Sequence, residues 1–101
     1  MKPAGYLLAK PVYFEAVITE VARGFDVAPE DIMGRSNVVR IRRARMCAMA
    51  VLRQHTDLSY PAIGDLFDRD HSTVHSAVAR VRADPALSRA VALVAGEVWP
   101  A

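Results

Sequence analysis

The sequence is poor in cysteine and glycine and contains no long apolar run. The single cysteine, Cys47, excludes an internal disulfide and suits a reducing compartment. The five glycines are scattered, and no G-x-x-x-x-G-K-[ST] segment occurs, so no phosphate loop for a nucleotide is predicted. The run GYLLA at 5–9 is broken by Lys10 and Pro11, which makes it too short for a signal peptide or a membrane span. These absences predict a cytoplasmic protein that binds no membrane, no nucleotide and no other cofactor.

Acidic residues are missing from one long stretch. None occurs between Asp31 and Asp57, whereas six arginines do: Arg35, Arg40, Arg42, Arg43, Arg45 and Arg53. Eleven of the 13 basic residues are arginine, the side chain that forks onto phosphate and base edges. A solvated helix face normally mixes charges of both signs, because opposite charges four residues apart stabilise it. The acid-free stretch therefore predicts a polyanionic partner.

The apolar residues that are present recur with helical spacing. With 101 residues, 52% of them apolar, the chain is the size of one globular domain. The pattern predicts a small all-α domain of about five or six helices, over residues 1–101, with no strand. The predicted helices are 11–23 with Gly24 as a stop, a short one within 28–33, 38–55 with Asn37 as N-cap, 59–67, 71–82 and a last one from Pro85.

Two of these predicted helices form a helix-turn-helix over about residues 59–83. Ser59 and Pro61 are typical of a helix start, and three residues, 68–70, separate this short helix from the next. In the second helix the apolar positions Val74, Ala77, Val78 and Val81 share one side, and Ser72, His75, Ser76 and Ala79 lie opposite. Short hydrogen-bonding side chains on the exposed side let a helix approach base edges in a DNA major groove.

Two other interpretations of the segment DRDH compete with a DNA-reading helix. His71 and His75 are four residues apart, as in many metal sites, and Asp68 or Asp70 could add a ligand. Asp70, His71 and Ser72 include the residue types of a catalytic triad, but neighbours in sequence rarely present triad geometry. We expect neither a metal site nor a catalytic one.

The segment TDLSYPAIGDLFDRDHSTV, residues 56–74, strongly resembles the C-terminal DNA-binding domain of the bacterial replication initiator DnaA. The similarity continues through RARMCAMAVLRQHT and VARGFDVAPEDIMGRS, and so covers roughly residues 12–83. The resemblance implies a helix-turn-helix that binds double-stranded DNA at sites like the DnaA box. It places base contacts on Asp70, His71 and Ser72, and backbone contacts on Arg45, Arg53, Thr56, Thr73, Ser76 and Arg80.

This sequence also departs from the family pattern. The arginine that the family inserts into the minor groove aligns with Asn37, so Arg35 and Arg40 are the candidates to replace it. The Leu-His pair that follows the signature is His75-Ser76 here, which replaces a phosphate-contacting histidine by serine. A single Asp68 stands where some relatives carry two glycines. These changes leave DNA binding as the expectation and predict a weaker preference for the usual box than the family shows.

The predicted function is therefore sequence-specific, non-enzymatic binding of double-stranded DNA in replication initiation or its regulation, by a nucleoid-associated bacterial or phage protein. The chain resembles the DNA-reading module alone, without the initiator's ATPase. A transcriptional regulator with the same fold is one alternative. The other is an adaptor that binds replication proteins through its apolar ends, GYLLAKPVYF at 5–14 and VALVAGEVW at 91–99.

Overall fold

The computed structural model describes residues 10–101, and this part of the chain contains six α-helices and no strand. The helices are α1 (Phe14–Phe25), α2 (Pro29–Met33), α3 (Val39–His55), α4 (Tyr60–Phe67), α5 (His71–Arg82) and α6 (Pro85–Val98). The predicted all-α architecture is confirmed, and the bounds of α5 are those predicted from sequence.

The last three helices begin at side-chain caps. The Ser59 hydroxyl accepts a hydrogen bond from the amide of Ala62 at 3.2 Å, and Asp70 Oδ1 accepts one from the amide of Ser72 at 3.2 Å. Asp84 Oδ1 accepts from two amides at the start of α6. Each cap satisfies amides that have no partner inside the helix, which is why these starts could be located from sequence.

Three predicted helix boundaries are wrong. The first helix was predicted from residue 11, but residues 12 and 13 form a turn and α1 begins at Phe14. Gly24 does not end α1, which continues to Phe25. The helix ends instead at Asp26, whose left-handed backbone (φ 55°) turns its amide toward the last carbonyls. Asn37 is not the N-cap of α3, because the helix begins at Val39 and the Ser36 hydroxyl accepts the hydrogen bond from the Val38 amide at 3.2 Å.

The core is built around α3, which packs against the five other helices. From Ala44 to Leu52, all residues of α3 except Met46 are buried. The predicted apolar side of α5 is buried against it, and Cys47 is fully buried, as expected for a packing residue. His55 is exposed and stacks on Trp99 with ring centroids 6.2 Å apart. It is the last residue of α3 and extends beyond the core.

A tight turn fixes the position of α5 relative to α4. Asp68 has a left-handed backbone (φ 53°), and its amide donates to the carbonyls at the end of α4. Gly64 lies so close to the returning chain that a Cβ atom there would be 2.5 Å from the carbonyl oxygen of Arg69. The chain can therefore return this close to α4 only because residue 64 is a glycine and has no side chain.

Candidate nucleic-acid interface

A cleft of about 370 Å³ separates the exposed side of α5 from α3. Its described lining contains four arginines and no acidic residue. The lining residues are Asn37, Arg42, Arg45, Met46, Met49, Arg69, Ser72, Thr73, Ser76, Ala77 and Arg80. Hydroxyl and guanidinium donors without a competing carboxylate favour an anionic ligand such as a phosphodiester.

The three predicted base-contacting residues lie together at the start of α5. Asp70 caps the helix, and its Oδ1 is 3.2 Å from Nδ1 of His71. Both side chains are 67% exposed, and Ser72 is exposed beside them. These side chains can therefore reach a ligand placed against the helix start, where the helix dipole also favours negative charge.

Three of the predicted backbone contacts follow one side of α5. Thr73, Ser76 and Arg80 are exposed and all line the cleft toward α3. Within residues 10–101, Arg80 forms no hydrogen bond or ion pair with another side chain. The structure thus brings these three donors together on the side of α5 that faces the acid-free stretch.

Arg45 has a different environment, because it is 6% exposed and lies under the loop between α2 and α3. Its guanidinium donates to the carbonyl oxygens of Ile32 at 2.7 Å, Asp31 at 2.8 Å and Ser36 at 3.0 Å. Burial, together with the positive charges of Arg69 and Arg35, lowers its pKa. The structure therefore gives Arg45 a role in the fold that the sequence did not indicate, while its contact with DNA stays a prediction.

Arg53 and Thr56 lie at the corner between α3 and α4. Arg53 donates to the carbonyl oxygen of Leu58 at 3.1 Å, and its guanidinium lies 4.6 Å from the ring centroid of Tyr60. The Thr56 hydroxyl donates to the carbonyl of Leu52 and accepts from the amide of Leu58. Both side chains are half-buried and stabilise the corner, and their predicted contacts with the DNA backbone remain untested.

Three arginines of the acid-free stretch are paired with acids from elsewhere in the chain. The pairs are Arg35 with Asp68 at 2.7 Å, Arg40 with Asp26 at 3.9 Å and Arg43 with Asp84 at 3.3 Å. All of these side chains except those of the last pair are well exposed. The two candidate minor-groove arginines thus have intramolecular partners, whereas Asn37, at the aligned position, is exposed and lines the cleft.

Arg42 is a candidate DNA contact that the sequence reasoning missed. Its side chain is exposed, lines the cleft, and forms no hydrogen bond or ion pair within the described part of the chain. The signal that could have identified it is its position on the same side of α3 as Met46 and Met49, which also line the cleft.

The metal site and the catalytic triad lack supporting geometry in residues 10–101. No group of three or more His, Cys, Asp or Glu side chains that could hold a metal occurs there. His75 packs against the ring of Tyr60, with centroids 4.8 Å apart. Within the same residues, the hydroxyl of Ser72 forms no hydrogen bond with an imidazole, so the triad types are not arranged as a triad. None of the helices there is long and apolar enough to cross a membrane.

The apolar ends, 5–14 and 91–99, are the surface that an adaptor would use. Residues 5–9 of the first segment lie outside the described residues. In the second segment, Leu93 is 67% exposed and Trp99 is 37% exposed, the latter packing edge-on against Tyr13 at 5.5 Å. Trp99 therefore partly covers the edge of the core at the ends of α1 and α3.

The sequence matches one family of known proteins. Residues 14–81 match the model of the bacterial DnaA protein helix-turn-helix. The chromosomal replication initiator protein DnaA of Trichormus variabilis is 46% identical over 61 residues, which cover 59% of this chain and 13% of that protein. DnaA of Cutibacterium acnes is 42% identical over 74 residues, covering 72% of this chain and 15% of the relative. The second DnaA of Chlamydia caviae is 44% identical over 62 residues, or 61% and 14% of the two chains. The matched segment is thus about one seventh of the length of these relatives, and the chain belongs to the bacterial DnaA family of DNA-binding helix-turn-helix domains.

Proposed function

We propose that this domain binds double-stranded DNA sequence-specifically, with α5 in the major groove, and that it acts in replication initiation or its regulation. The observation that carries the proposal is the acid-free cleft along α5, next to an exposed helix start with small polar side chains. The relatives are replication initiators by name, which supports the assignment of the process. In this proposal the domain acts by binding alone, in the cytoplasm and on the nucleoid, without catalysis, nucleotide or metal.

Base reading is assigned to Asp70, His71 and Ser72. Their side chains are exposed at the start of α5, the part of a recognition helix that approaches base edges. Asp70 accepts from an exocyclic amine, while His71 and Ser72 offer donors and acceptors to purine edges. Because Ser72 lacks the methyl group that threonine would press on a thymine, we expect a preference that differs from the usual DnaA box.

Phosphate binding is assigned to donors beside the reading positions. Thr73, Ser76 and Arg80 line the cleft on α5, and Arg42 faces them from α3. Arg53, Thr56 and Arg45 complete the predicted set, and each of them also holds part of the fold through its bonds to backbone carbonyls. Contacts of this kind determine orientation on the duplex and carry no base information.

The minor-groove contact is assigned to the loop before α3 and the first turn of that helix. Asn37 occupies the aligned position, and Arg35 and Arg40 would have to leave their exposed ion pairs to replace an inserted arginine. Exposed pairs of this kind contribute little stability, so DNA could displace them. Asn37→Arg should raise affinity for duplexes with A·T-rich flanks, where the minor groove is narrow and strongly negative.

The test begins with selection of bound duplexes from a random library, followed by competition titrations against the preferred and a scrambled sequence. His71→Ala should weaken binding to the preferred site by about 1–3 kcal/mol and leave binding to the scrambled duplex nearly unchanged. Arg80→Ala should weaken both equally and reduce the log–log salt slope by about one unit. Equal loss at both duplexes in His71→Ala would refute the assignment of α5 as the reading helix.

A further inference from the structure

Three side chains from three helices form a continuous stack beside α5. The guanidinium of Arg53, on α3, lies over the ring of Tyr60, the first residue of α4, at 4.6 Å from the centroid. The imidazole of His75, on α5, packs against the same ring at 4.8 Å with the ring planes tilted by 43°. His75 is exposed, and the other two side chains are half-buried. The phenol ring thus contacts both a permanent cation and an imidazole.

The stack lies on the opposite margin of α5 from the cleft. At 100° per residue, Thr73 and Arg80 occupy one edge of the exposed side of α5, and His71 and His75 occupy the other. The contacts agree with this placement, since Thr73 and Arg80 line the cleft toward α3 whereas His75 packs on α4. A helix in the major groove lies between two phosphate backbones, so its two margins face different DNA strands.

The stack is rich in donors and is not neutralised by an acid. Arg53 uses one N–H on the carbonyl of Leu58, which leaves its other donors available. Neither Arg53 nor His75 forms an ion pair with any residue in the range 10–101. Packing against Tyr60 restricts the rotamers of both side chains, so less entropy is lost when they bind. A guanidinium and an imidazole held against one ring can both donate to the phosphates of a single DNA strand.

We propose that Arg53, Tyr60 and His75 form a phosphate-binding site for the DNA strand across the groove from the α3–α5 cleft, with His75 and Arg53 as donors and Tyr60 as the positioning residue. The inference rests on the proposed binding of duplex DNA by α5. It adds Tyr60 and His75 to the interface and assigns the two sides of α5 to the two strands.

The experiment is a scan of the preferred duplex with single methylphosphonate substitutions, each of which removes one phosphate charge. The proteins are the wild type, His75→Ala, His75→Phe and Arg80→Ala, and Arg89→Ala, an exposed arginine of α6, serves as the charge control. His75→Phe keeps a ring against Tyr60 but has no N–H donor. We expect both His75 variants to bind about three- to tenfold more weakly than the wild type. They should also lose sensitivity to neutralisation on one strand, whereas Arg80→Ala loses it on the other strand and Arg89→Ala behaves like the wild type.

The outcomes separate this inference from the proposed function. Failure of the wild-type protein to bind any duplex would refute the proposed function itself. Wild-type binding together with full affinity of His75→Phe would show that the imidazole only packs, and would overturn the phosphate site alone. Loss of sensitivity on the same strand in His75→Ala and Arg80→Ala would overturn the assignment of margins to strands. Because His75, Arg80 and Arg89 are all exposed, all variants should unfold at the urea concentration of the wild type, which checks that the comparison is made between folded proteins.

Discussion

Replacing Arg45 by methionine should distinguish a contribution to the stability of the fold from a contribution to DNA binding. The buried guanidinium donates to three backbone carbonyls, those of Asp31 and Ile32 in α2 and that of Ser36 in the loop that follows. Methionine fills a similar volume but donates no hydrogen bond, so the carbonyls lose these partners. The loop that carries Asn37 to the mouth of the cleft should then be held less firmly.

The expected loss of stability follows from these contacts. A hydrogen bond to a charged donor contributes about 1.5 kcal/mol or somewhat more, so three bonds are worth about 4–5 kcal/mol before any compensation. Part of this is recovered, because the variant no longer buries a charge near the positive charges of Arg69 and Arg35. We expect a net decrease of about 2–3 kcal/mol in the free energy of unfolding, measured by urea denaturation with far-UV circular dichroism.

Arg42→Met is the matched control. Arg42 lies on the same helix and lines the same cleft, but its side chain is exposed and forms no hydrogen bond or ion pair within residues 10–101. Its loss should change stability by no more than about 0.5 kcal/mol. It should weaken DNA binding at every sequence and reduce the salt slope by about one unit. Unfolding of Arg45→Met at the same urea concentration as the wild type would refute the claim that these three hydrogen bonds stabilise the loop.

Three further predictions concern the fold and its titrating groups. Gly64→Ala should lower the free energy of unfolding by about 2–4 kcal/mol, since the new Cβ would lie 2.5 Å from the carbonyl oxygen of Arg69. Gly24→Ala is the control: a Cβ there has nothing within 4 Å, so this variant should raise the free energy of unfolding by up to about 1 kcal/mol in the same urea titration. The pKa of Asp84 is lowered, chiefly by a backbone amide at the start of α6, so its stabilising effect should be complete at neutral pH and disappear as the pH falls through its folded-state value. Asp84→Ala should therefore be less stable than the wild type at pH 7 but not in strong acid, as thermal melting at the two pH values would show. Burial raises the pKa of Cys47 to about 12, so its thiol should react with an aromatic disulfide reagent at pH 8 only after unfolding; rapid reaction of the native protein would contradict its burial.

Helix bounds could be predicted from the sequence where a single side chain determines the local backbone conformation. The bounds of α5 follow from the Asp70 cap and from apolar residues spaced three and four apart, both of which are visible in a dozen residues. The same holds for α4, which begins after Ser59. The small polar side chains on the outer side of α5, and with them the predicted reading positions, were accessible for the same reason.

Helix ends without such a signal were missed. Gly24 is the residue type that commonly ends a helix, yet α1 passes through it because Asp26 adopts the left-handed conformation two residues later. Asn37 is a favourable capping type, but the hydroxyl of Ser36 already bonds the amide of Val38. At both sites two neighbouring residues could perform the same task, and sequence alone does not rank them.

Helical periodicity, caps and charge composition are properties of neighbouring residues, so they were enough to predict an all-α helix-turn-helix domain with a basic, acid-free stretch before it. The role of each arginine depends instead on how the helices pack. Arg35 pairs with Asp68, which lies 33 residues later in the sequence, and Arg43 pairs with Asp84, 41 residues later. Arg45 is buried under the preceding loop, whereas the side chain of Arg42 is exposed in the cleft. Such partners lie far apart in sequence and are brought together by the packing of the core. The division of α5 into a cleft margin and a stacked margin arises in the same way, since it depends on which helices lie on either side of it.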